Sequence, residues 1–74
     1  MENENLLNGL PKLIEEEAQD AMKYAHLALE HRADHPDFAD LFMELSGQEL
    51  KHMQMISGMM TAMIDKLHAQ YKGE

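Results

Sequence analysis

The sequence predicts an all-α fold, two long helices folded back on each other as an antiparallel hairpin. Three observations carry this. Apolar residues recur at helical spacing in two separate stretches. Only 2 prolines and 4 glycines interrupt the 74 residues. The one connection between the stretches, Ala33-Asp34-His35-Pro36, is short enough to leave the two helices antiparallel. The chain has no cysteine, so neither disulfides nor a thiolate metal site can staple it. A single small domain that is 45% hydrophobic and unstapled is expected to complete its core by oligomerising.

Taken in order, Asn8-Gly9 reads as a turn, and Leu10-Pro11 as the approach to a helix. Proline fits the first helical turn, and the residue before it resists helical geometry. The first helix is therefore expected over about 11–32. Glu15, Glu16 and Glu17 sit near its positive N-terminal end, and His31 and Arg32 near its negative C-terminal end. Pro36 and Asp37 open the second helix, expected over about 36–71. Gly58, beside Ser57, is its weak point and the expected place of any break, since an interior glycine costs about 1 kcal/mol relative to alanine. The whole chain, 1–74, reads as one domain.

Six Lys+Arg against 14 Asp+Glu leave a net charge of −8. That balance argues against nucleic acid and anionic membrane surfaces as partners and favours cations. No apolar run reaches the length of a membrane span. The acidic start, Met-Glu-Asn-Glu-Asn, lacks the basic residues of a signal peptide, so a cytoplasmic location is expected. There is no glycine-rich phosphate loop and no Ser/His/Asp arrangement.

The chemistry lies in carboxylates that fall on the wrong face. With Glu17 at zero on a helical wheel, Leu10, Leu13, Ile14, Ala21, Tyr24 and Ala28 lie within about 60° of it. Glu16 is about 100° away and Glu15 about 160° away, so one of three consecutive glutamates points into the core. From Glu49, the residues Phe38, Phe42, Leu45, Met53, Ile56, Met60, Met63 and Leu67 lie within about 40°, and His52 about 60° off. Glu44 falls on the outer side. At about 1.5 Å per residue, Glu17 and Glu49 both stand about 20 Å from the turn. The hairpin therefore brings Glu17, Glu49 and His52 to one height. A buried carboxylate without a partner is very costly, and no lysine or arginine falls on this face nearby. A divalent cation would compensate them, and oxygen and imidazole donors without sulfur suit iron, manganese or zinc.

These residues resemble the ferritin-like superfamily. Glu17-Ala-Gln-Asp-Ala-Met-Lys-Tyr24 followed by Glu49-Leu-Lys-His52 is similar to one half of a rubrerythrin bundle and to the short encapsulated ferritins, over residues 10 to 56. The resemblance implies that two hairpins dimerise into a four-helix bundle holding two iron ions per dimer. In such a bundle a Glu comes from each of two helices and a Glu-x-x-His from the other two. It implies that Glu49 bridges the metals, that Glu17 and His52 are terminal ligands, and that Tyr24 is a hydrogen-bond partner behind them. The implied activity is a ferroxidase that oxidises Fe(II) with oxygen or peroxide, for iron storage or detoxification. Rubrerythrins also carry a cysteine-rich electron-delivery domain, which has no counterpart in this chain. Encapsulated ferritins carry a C-terminal targeting tail. If such a tail follows Tyr71-Lys-Gly-Glu in the native protein, an encapsulating shell protein is a further partner and a protein compartment the location.

Other readings stay open. The hairpin could be a structural or protein-binding module that a metal merely stabilises, without redox turnover. Tyr24 could equally be an ordinary core tyrosine. Met53, Met55, Met59, Met60 and Met63 crowd the second helix and read as packing, since methionine fills irregular apolar gaps. Because that stretch is apolar around much of its circumference, contacts beyond a dimer are expected, giving a higher homo-oligomer. His26, His31, His35 and His68 read as surface histidines, and Glu16 and Asp20 as a solvated acidic flank able to guide cations.

Overall fold

The computed structural model describes residues 2–73; for residues 2–5 and 7 only the backbone is described. The side chains of the acidic start therefore lie outside it. Two helices make up the fold, α1 (Glu2–His31) and α2 (Pro36–Gly73). They pack along each other as an antiparallel hairpin, 62 × 17 × 12 Å in extent. No described helix is long and apolar enough to cross a membrane.

The turn works as its residues dictate. The amide of His35 donates to the carbonyl of His31 at 2.8 Å, which closes the last turn of α1. The amide of Ala39 donates to the carbonyl of His35 at 2.9 Å, so His35 caps α2 and Pro36 takes the first helical position, where its missing N–H costs nothing. Nδ1 of His31 lies 3.2 Å from Oδ2 of Asp34, and Nε2 of His35 lies 3.9 Å from the same oxygen. The carboxylate thus sits between an imidazole at the negative end of α1 and the positive start of α2. The hydrogen bond from His31 chiefly, with one from its own backbone amide, holds the Asp34 carboxyl below its ordinary range against partial burial.

The start of α1 corrects the sequence reading. There is no turn at Asn8-Gly9; α1 begins at Glu2 and runs through Pro11. The reason is packing. Leu10 is the most buried large side chain of the hairpin, 1% exposed. The 38 residues of α2 extend far enough to offer these early turns a surface. An interior proline costs about 3 kcal/mol, and here tertiary contact outweighs it. Gly58 does not break α2 either. A Cβ at that position would meet nothing within 4 Å, so the glycine points outward and the helix continues past it.

Within one hairpin little is fully enclosed. Only Leu10, Ala28 and Ala39 are buried among the described apolar side chains. Leu13, Phe38, Leu45 and Leu67, all on the apolar stripe of the sequence reading, remain exposed. The surface of 6048 Å² is well above the ~4,700 Å² typical of a compact monomer of this mass.

Candidate metal centre

Glu17 stands midway along α1, and Glu49 and His52 stand on successive turns of α2. Antiparallel packing of two helices closed by a short turn puts residues equally far from that turn side by side. Nδ1 of His52 lies 3.3 Å from Oε2 of Glu17 and 3.7 Å from Oε1 of Glu49. One donor atom from each of the three residues falls within 4.8 Å of the others, close enough to hold a metal ion. The side chains of Glu17 and Glu49 are 25% and 19% exposed, whereas that of His52 is 53% exposed. The three donors therefore open toward one face of the hairpin.

The electrostatics are those of crowded carboxyls. Glu49 is pushed up, first by sharing a hydrogen bond with Glu17, then by partial burial and by the negative charges of Glu17 and Asp20; His52 opposes the rise. Glu17 is held down, first because the Glu49 carboxyl donates to it and further by His52, against partial burial. The two shifts oppose each other because two like charges so close resist ionising together. No lysine or arginine pairs with either carboxylate among the described residues. A divalent cation between them would favour the ionised form of both, and the oxygen and nitrogen donors fit iron, manganese or zinc.

Tyr24 stacks on Phe42, with ring centroids 6.4 Å apart and planes 16° from parallel. Among the described residues its hydroxyl is not hydrogen-bonded to Glu17 or Glu49. Two residues near the site were not singled out from the sequence for what they do. The hydroxyl of Ser46 donates to the carbonyl of Ala21 at 2.7 Å and ties the helices together one turn from Glu49. Its signal was available, since Ser46 lies about 60° from Glu49 on the wheel, on the side facing α1. Asp20, read as part of a solvated flank, acts on the site through its charge on Glu49. At the other end, His31 and His35 lie at the surface as expected, and both also meet Asp34.

Comparison with protein-family models, curated proteins and solved structures gave no significant match.

Proposed function

We propose that two copies of this chain pair across the open face and form a shared di-iron centre that oxidises ferrous iron. The observation that carries this reading is the convergence of two carboxylates and an imidazole within 4.8 Å, on a face left open to solvent. Three donors are half of a six-residue set, and a second copy supplies the other half by symmetry. The glutamates bind and neutralise the ferrous substrate as carboxylates. His52 supplies a neutral nitrogen donor from the rim. Each ferrous ion gives up one electron. Dioxygen takes two electrons and two protons and leaves as hydrogen peroxide, or peroxide takes them and leaves as two waters. The ferric product then passes to storage. Tyr24, on the same stripe as Glu17, orients the site through its ring and hydroxyl in the paired state.

Anaerobic loading with Fe(II), followed by air, tests this. The expected result is about one iron per chain and rapid ferric absorbance in the near ultraviolet. Both should disappear in Glu49→Ala and persist in Glu44→Ala, whose carboxylate is exposed on the outer side. Tight binding of metal without oxidation would favour a metal-stabilised structural module. Unchanged oxidation in Glu49→Ala would overturn the assignment of the site.

A further inference from the structure

The turn gathers a second group of metal-ligating side chains, His31, Asp34 and His35, about 20 Å along the hairpin from Glu17 and Glu49. The backbone relates the two histidines closely. The amide of His35 donates to the carbonyl of His31 at 2.8 Å, and no described residue has a positive φ, so the chain makes one right-handed turn between them. Residues four apart on such a turn share a face, the spacing at which two histidines chelate one ion. Their ring centroids stand 6.1 Å apart. Asp34 reaches toward both rings. Its Oδ2 lies 3.2 Å from Nδ1 of His31 and 3.9 Å from Nε2 of His35. Donors bound to one ion at about 2.0–2.2 Å stand about 3–3.5 Å from each other. The first spacing already fits, and the second has to close by about half an ångström. The trio is drawn together less tightly than Glu17, Glu49 and His52, whose donors all fall within 4.8 Å. Side-chain rotation closes it, and that rotation is open, since His31, Asp34 and His35 are 39%, 57% and 58% exposed.

We infer that His31, Asp34 and His35 form a second metal site, a clasp on the turn that takes zinc or copper(II) rather than ferrous iron. The donor set is two imidazoles and one carboxylate, richer in nitrogen than the two carboxylates and one imidazole at mid-helix. An open site imposes no cavity size or geometry, so affinity follows the intrinsic order of the divalent ions, in which copper(II) and zinc stand above ferrous iron and manganese. Local charge favours a cation. Over residues 30–37, Glu30, Asp34 and Asp37 outnumber Arg32, and the carbonyl end of α1 adds to them, against the positive start of α2. The ion would join the last residue of α1 to the residue that caps α2. The donors come together only when the turn is formed, so binding stabilises the closed hairpin. The site stands whether or not the mid-helix centre oxidises iron.

Calorimetric titration of the full chain with zinc chloride tests this, in Glu49→Ala so that the mid-helix centre does not compete. One zinc per chain is expected, with a Tm that rises as zinc is added. His31→Ala and His35→Ala, each added to Glu49→Ala, should weaken binding at least tenfold and remove the rise in Tm, while far-ultraviolet circular dichroism keeps its helical signal. Neither imidazole makes a backbone hydrogen bond of the turn, so both variants keep the fold. In the wild type, zinc should shift the imidazole nitrogen resonances of His31 and His35 and leave those of His26 and His68 in place. Four results overturn the inference: no zinc bound by Glu49→Ala, binding that survives both histidine changes, binding that depends on only one of them, or one zinc per two chains, which would mean histidines bridging separate molecules.

Discussion

Leu10 and Leu13 share one apolar stripe on the helical wheel, yet the hairpin treats them differently. Leu10 is 1% exposed and Leu13 is 45% exposed. Truncating a fully buried leucine to alanine removes its burial and leaves a cavity, at about 3 kcal/mol. Leu13 keeps much of its surface in water, so the same truncation removes little burial and costs about 1 kcal/mol. A domain of this size has a total stability of about 4–11 kcal/mol, so Leu10→Ala spends a large share of it. Urea unfolding followed by circular dichroism, in chelator and at one fixed protein concentration, reads both. With a slope of about 1 kcal/mol per molar urea, the midpoint should fall by about 3 M for Leu10→Ala and about 1 M for Leu13→Ala. Fixed concentration matters because association stabilises the folded chain by mass action. Equal shifts would refute the reasoning. They would mean that the turns before Pro11 add no packing, and that the local signals at Asn8-Gly9 describe this segment better than the helix does.

Three further outcomes are expected. Gly58→Ala fills open space on the outer side of α2 and should raise stability by about 1 kcal/mol, which corresponds to about 6 °C in Tm for a chain of this length. Ser46→Ala removes the hydroxyl that reaches Ala21 and should lower stability by about 1 kcal/mol, measured by the same unfolding curve. Asp34, held below its ordinary range by His31, stabilises the folded chain above its unfolded value and loses that contribution as pH falls through the lowered one. Asp34→Asn should therefore flatten the part of the acid limb of stability below the ordinary carboxylate range. An unchanged acid limb would show that the turn does not depend on this contact.

Much of the hairpin was legible because long helical periodicity is a strong signal and the turn is spelled by local chemistry. Pro36 and His35 cap α2 for reasons that operate within a few residues. The convergence of Glu17, Glu49 and His52 was legible too, because it needs only helical phase and distance from the turn. The start of α1 was not. Asn8, Gly9 and Pro11 all argue locally for a break, and what overrides them is contact with distant turns of α2, which no short window of sequence contains. The exposure of His52 and of Leu13 was equally out of reach. A wheel gives direction from one helix axis, whereas burial depends on where the neighbouring helix lies. Asp20 shows the same limit, since its charge acts on Glu49 across the interface between helices, whereas the wheel position of Ser46 already turned it toward α1.

The placement of Glu17 and Glu49 in mid-helix has a consequence for how the chain opens. In an antiparallel hairpin each cross-helix contact is held by those between it and the turn, and unravelling starts at the free ends. Residues before Leu10, and the last turns of α2 that carry the 82%-exposed Tyr71, lie at that fraying end. Several turns must open before the contact between Glu17 and His52 is lost. Amide exchange should accordingly be graded, fastest at the two chain ends and slower from the site through Ser46 toward the turn. The three donors then stay assembled through fluctuations that repeatedly release the termini.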